Sequence, residues 1–122
     1  MRFLRTTLFK IILALCLLSS ASSEPLVVAH RGGRNIGPEN RLSTITKAIE
    51  LGVDAIEVDI HQSRDGHLIV AHDLTLDRCF GVAGQINLMT VDELRALGAP
   101  TLQEVAQLVD GRCRLVLSLI HI

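Results

Sequence analysis

Val53-Asp54-Ala55-Ile56-Glu57-Val58-Asp59-Ile60 is the stretch on which the fold turns. Its side chains alternate: Ala55, Glu57 and Asp59 share one face, and Ile56, Val58 and Ile60 the other. Period-two alternation is the pattern of a strand, because successive side chains leave a strand on opposite sides. Directly after it, Ser63-Arg64-Asp65-Gly66 has the composition of a tight turn, and Leu68 to Ala71 is a second extended run. So short a connection permits only an antiparallel return. A hairpin centred on Asp65-Gly66 is therefore predicted. Symmetric pairing about that centre puts His72 opposite Asp59, a match that a one-residue slip would destroy.

Upstream, Leu26 to Ala29 is a short apolar run suited to a buried strand. A glycine-rich loop follows from His30 to Pro38, and Asn40 is placed to cap a helix from Arg41 to Leu51. Leu42, Ile45, Ala48 and Ile49 would form its apolar face, with Gly52 as its stop. Downstream, Thr90-x-x-Glu93 and Thr101-x-x-Glu104 are capping boxes for two short helices that end at Gly98 and Gly111. Arg114 to Leu119 reads as another strand. Strand, helix, strand, helices, strand is the opening of an α/β fold with parallel strands.

Residues 1–23 have the layout of a secretory signal peptide. Arg2, Arg5 and Lys10 give a basic start, Ile11 to Leu18 an apolar run, and Ala21 and Ser23 small residues before a cut at Glu24. The run is far shorter than the roughly 20 residues a membrane-spanning helix needs, so no stable membrane span is expected after cleavage and the protein is expected to be exported, periplasmic or secreted. The leader carries three cations and no anion, so its loss takes the formal charge from −1 to −4. That balance gives no electrostatic reason for nucleic acid as a partner. Phe80 is the only aromatic residue left, and the core must come from Val, Ile, Leu and Ala. Cys79 and Cys113 lack zinc-type spacing and read as two unpaired, partly buried thiols.

Three chemistry-bearing clusters fall at strand ends: His30-Arg31-Gly32, the Glu57/Asp59 pair and His72-Asp73. Two carboxylates at spacing two suit a hard cation such as Ca²⁺ or Mg²⁺. Histidines beside them could exchange protons near neutrality, and Arg31 could hold a phosphate bidentately, with the amides of Gly32 and Gly33 close to an anion. Each cluster has a plainer reading. The carboxylates could be a polar strand face, the histidines hydrogen-bonded caps, and Asp73 a residue that only orients its loop. His61 and His67, flanking the turn, read as solvated, and His121 carries no assignment.

In combination these strings resemble the glycerophosphodiester phosphodiesterase family. The likeness runs through His30-Arg31-Gly32, Pro38-Glu39-Asn40, Gly52 to Asp59, Asp65-Gly66 and His72-Asp73. It continues in order through Asp77-Arg78, Gly84, Thr90, Glu93-Leu94 and Pro100-Thr101-Leu102-x-Glu104-Val105, covering residues 26 to 117. The resemblance implies a TIM-type (β/α) barrel, here incomplete, with residues 24–122 as a partial catalytic domain. It implies hydrolysis of a small-molecule glycerophosphodiester to glycerol 3-phosphate and an alcohol. Glu57 and Asp59 would bind a divalent metal ion (Ca²⁺ or Mg²⁺), His30 and His72 would be the catalytic base and acid in undecided order, and Arg31 would bind the phosphate.

The chain departs from the family pattern near its end. Ser118 stands where the family has a third metal-binding Glu, and Ile120 where a Lys usually follows. Residues 118–122 are therefore expected to be a non-native tail, and this chain by itself a fragment without activity, since a full barrel takes about 250 residues. Two other readings stay open: a barrel phosphodiesterase acting on phospholipid or lysophospholipid, and a non-catalytic secreted binding protein.

Overall fold

The structure, a computed structural model, describes residues 24–119. The leader read over residues 1–23, and residues 120–122 of the tail, lie outside the described residues. Strand β1 (Val28–Ala29) runs into a 3₁₀ turn at His30–Gly32, then come helix α1 (Leu42–Glu50), the long strand β2 (Ala55–Gln62) and β3 (Leu68–Val70). An excursion holds helix α2 (Asp77–Phe80), a 3₁₀ turn at Ile86–Leu88 and helix α3 (Val91–Ala96). Helix α4 (Leu102–Val109) and strand β4 (Arg114–Ser118) follow.

Strand β2 organises everything else. Its first half lies between two parallel neighbours, with Ala55 to Asp59 in register with Arg114 to Ser118 of β4, and Ala55 and Ile56 with Val28 and Ala29 of β1. Its last residues leave that sheet and pair with β3 in the antiparallel sense, Ile60 with Val70, His61 with Ile69 and Gln62 with Leu68. The alternation read from sequence has its physical outcome here. Ile56 and Val58 face α1 and α4 and pack with Ile45, Ala48, Val105 and Val109, which turns Glu57 and Asp59 to the opposite face. Each such fully buried aliphatic side chain stabilises the fold by about 1.5–3 kcal/mol.

The hairpin register differs from the sequence-based expectation by one residue. Pairing is symmetric about Asp65 alone, because the loop has three residues: Ser63 N donates to His67 O at 2.9 Å and Gly66 N to Ser63 O at 3.0 Å. Gly66, at φ 86°, supplies the left-handed residue that a three-residue loop of this kind requires. Asp59 therefore faces Ala71, whose amide donates to the Asp59 carbonyl at 3.0 Å, and His72 is not opposite Asp59.

A second apolar cluster, with Ile69, Leu76, Ile86 and Leu94 fully buried, lies under the excursion. Arg41 ties that excursion to α1: its guanidinium lies 4.1 Å from the Phe80 ring centre and donates to the carbonyls of Leu97 and Cys79. Both capping boxes form as predicted, with each Thr hydroxyl accepting from the Glu amide three residues on and each Glu carboxylate accepting from the Thr amide. Cys79 and Cys113 are free and partly buried. Asn40 is not the α1 cap; it is buried in a left-handed conformation (φ 54°), and Arg41 occupies the cap position without a side-chain bond.

Among the described residues, β1 and β4 each pair with β2 alone. Leu26, Val27 and Val28 near one outer edge and Val116, Leu117 and Leu119 near the other are exposed. No described helix is long and apolar enough to cross a membrane.

Candidate active site

The backbone at His30–Gly33 folds the loop after β1 back over the strand ends. Arg31 sits at φ 50°, a conformation that costs a non-glycine residue of order 1–3 kcal/mol. Two bonds hold it there: its amide donates to Glu57 Oε2 at 2.8 Å, and its carbonyl accepts from Asn40 N at 2.8 Å. Gly32 has no alternative. Its φ is 68°, and a Cβ would stand 2.9 Å from Ile45 Cγ1 of α1. Gly33 N is already committed to the His30 carbonyl at 3.0 Å, so it is not a free anion donor.

Glu57 and Asp59 point to the same face, with Asp59 almost fully buried and in the last parallel pair, opposite Ser118. The Asn40 amide donates to Asp59 Oδ2 at 3.2 Å, and its own buried Oδ1 has no partner. His30 is largely exposed beside Glu57, Nε2 to Oε2 3.9 Å. Among the described residues no group of three or more His, Cys, Asp or Glu gathers as a metal centre. The donors present are all hard oxygens: two carboxylates on one face, an orphaned buried amide oxygen next to one of them, and a hydroxyl across the sheet. They fit Ca²⁺ or Mg²⁺ in kind, though two carboxylates alone supply fewer oxygens than a hard cation takes.

His72 reaches the site through Arg31. Arg31 Nη2 stands 2.6 Å from His72 Nε2, and His72 Nδ1 stands 2.6 Å from Asp73 Oδ1. An arginine only donates, so Nε2 accepts, and the imidazole is neutral with its proton on Nδ1, donated to Asp73. Asp73 thus does more than orient its loop. Its carboxyl lies well below the usual range, held there by hydrogen bonds from Arg78 first and His72 second. Arg78 Nε donates to Asp73 Oδ2 at 2.6 Å, and its terminal nitrogens donate to Glu39 at 2.8 and 3.1 Å. The same Arg78 bonds are the main cause that brings the Glu39 carboxyl down to about 2, while Glu39 and Asp73 together push the Arg78 guanidinium up. Arg31 Nη1 also donates to Glu39 at 3.4 Å.

His61 is buried, contrary to the solvated role expected at a turn flank. It shares the face of Glu57 and Asp59, and its Nε2 donates to the His72 carbonyl at 2.9 Å. Parity along β2 could have placed it inward; proximity to the turn obscured that. Glu39 and Arg78 lay within quoted motifs, but nothing local in the sequence pairs residues 39 apart.

Residues 30–120 match the Glycerophosphoryl diester phosphodiesterase family. The chain belongs to that family. Over 104 residues it is 38% identical to a glycerophosphodiester phosphodiesterase of Caldanaerobacter subterraneus, covering 75% of this chain and 43% of the relative. Over 76 residues it is 42% identical to a probable glycerophosphodiester phosphodiesterase 1 of Mycobacterium tuberculosis, covering 62% of this chain and 28% of the relative. The crystal structure of a glycerophosphodiester phosphodiesterase from Thermotoga maritima superposes with a TM-score of 0.75 at 34% identity, covering 80% of this chain and 45% of that one. A phosphodiesterase from Oleispira antarctica, solved with the product sn-glycerol-3-phosphate, gives 0.71 at 29%, covering 78% of this chain and 44% of that one. The chain spans less than half the length of these relatives. The β1–α1–β2 unit, the excursion and β4 are therefore part of an α/β barrel, as the resemblance implied.

Proposed function

We propose that these strand ends form the hydrolytic site of a phosphodiesterase that cleaves glycerophosphodiesters to glycerol 3-phosphate and an alcohol. The observation that carries the reading is the gathering of Arg31, His72 and the Glu57/Asp59 face around one loop, with Glu57 accepting the Arg31 amide. Family membership supports the reaction class, and the product in the Oleispira antarctica structure supports a small glycerol phosphate as ligand of that relative.

A phosphodiester is an anion that repels its nucleophile, so the site must offset charge and move protons. Glu57 and Asp59 would hold a divalent cation, whose charge would offset that of the phosphate. Arg31 offers its guanidinium at the junction of Glu39 and His72, where phosphate oxygens would accept from it. His72, whose Nε2 lone pair Arg31 would release on turning to the phosphate, would take the proton of the attacking water, and Asp73 would stabilise the imidazolium that forms. His30, exposed and beside Glu57, is left to protonate the departing alkoxide. We also propose export, from the basic, apolar and small-residue sequence of positions 1–23.

The test is turnover of glycerophosphocholine against lysophosphatidylcholine by the whole protein, wild type and His72→Ala. Preference for glycerophosphocholine, with His72→Ala slower by about 10²–10⁴-fold, supports the reading. Preference for the lysolipid moves the substrate to the lipid class. Ser118, in register with Asp59, favours a second reading in which the protein binds without catalysing; binding of glycerol 3-phosphate with no turnover of either diester would establish it.

A further inference from the structure

Arg78 has no part in the hydrolysis as proposed, yet it closes a ring around the site. Going round from Arg78, its bonds reach Asp73, then His72, then Arg31, then Glu39, and return. Arginines alternate with carboxylates in this ring, and the one neutral member is the imidazole. Surface ion pairs contribute little as a rule, and Arg78 is half exposed. Its geometry departs from that rule: one side of the fork takes both oxygens of Glu39 while Nε takes Asp73, so the planar guanidinium fixes two carboxylates at once.

The consequence falls on His72. Which ring nitrogen of a neutral histidine carries the proton is set by the bond the other nitrogen makes. Asp73 can hold the proton on Nδ1 only while one of its carboxylate oxygens is directed at the ring. Arg78, bound to the other oxygen, anchors the side chain in the orientation that keeps one there. We propose that Arg78 is a positioning residue for His72: acting through Asp73, it keeps the imidazole protonated on Nδ1 with the Nε2 lone pair directed at Arg31. The inference rests on the reading of His72 as proton acceptor for its catalytic meaning, though not for its geometry.

¹⁵N NMR of the full chain labelled at histidine, recorded above neutral pH, reads the tautomer directly. Wild-type His72 is expected to show a protonated Nδ1 and a bare Nε2. Arg78→Gln is expected to convert it to a mixture, while His61 keeps its proton on Nε2. Arg78→Lys, which keeps the charge and loses the fork, should recover only part of the wild-type signature, and it serves if the Gln variant does not fold. Arg64→Gln, at an exposed arginine of the hairpin, is the control for loss of a cation and should change nothing. In the whole protein, Arg78→Gln should lower kcat by about 10- to 100-fold, the usual cost of losing a residue that orients a functional side chain through a hydrogen bond, with KM little changed. A His72 tautomer unmoved in both Arg78 variants, or a wild-type His72 protonated on Nε2, overturns the proposal. Turnover that survives His72→Ala overturns the hydrolytic assignment instead, and leaves the tautomer result standing on its own.

Discussion

Replacing Glu39 by Gln removes the charge that Arg78 and Arg31 share. In the folded protein the Glu39 carboxyl falls from 4.5 to about 2, chiefly through its Arg78 bonds. A carboxyl depressed by folding contributes stability that is complete above its unfolded value and is lost as the pH falls toward the folded one. The window here runs from about pH 4.5 down to about pH 2. At about 1.36 kcal/mol per tenfold, the full drop corresponds to roughly 3.4 kcal/mol. Arg78 is 47% exposed, so solvent screening reduces this to about 1–2 kcal/mol. Urea unfolding followed by circular dichroism should therefore find Glu39→Gln less stable by about 1–2 kcal/mol at pH 7. At pH 3 the gap should shrink to roughly two fifths, because the unfolded carboxyl is already protonated while the folded one stays mostly ionised. No gap at pH 7, or one that fails to narrow at pH 3, would refute the claim that Glu39 is a charged member of the ring.

Three further outcomes are expected. Arg41→Ala removes the ring stacking and the bonds to the Leu97 and Cys79 carbonyls, and should cost about 1–3 kcal/mol in the same unfolding assay. Thr101→Ala, which deletes the hydroxyl half of the second capping box, should cost about 1 kcal/mol, and an unchanged midpoint would deny it a structural role. N-terminal sequencing of exported protein should begin near Glu24; a start at Met1 would dismiss the leader.

Local rules made the scaffold legible. Strict alternation from Ala55 to Ile60 could be satisfied only by a strand with its apolar side under helices, and that fixed the common face of Glu57 and Asp59 before any tertiary contact was considered. The capping boxes were equally readable, since donor and acceptor lie three residues apart. What escaped depended on one-residue geometry or on distance along the chain. The hairpin composition allowed a two- or a three-residue loop, and the latter moved His72 away from Asp59. His72 still reaches the site, but through Arg31, a contact 41 residues distant in sequence. Asn40 has the residue type of a helix cap, yet its left-handed backbone carries the side chain to Asp59, 19 residues on. No periodicity encodes such pairings. They arise once β1 and β2 lie side by side and the excursion folds over their ends.

The central claim is that Glu57 and Asp59 serve hydrolysis by holding a divalent cation, and calorimetric titration with Ca²⁺ and Mg²⁺, paired with glycerophosphocholine turnover in the whole protein, tests it most directly. Glu57→Gln and Asp59→Asn should each weaken cation binding and lower turnover together, while His72→Ala lowers turnover with cation binding nearly intact. Turnover that persists in a chelator, or carboxylate variants that bind the cation as the wild type does, would contradict the account.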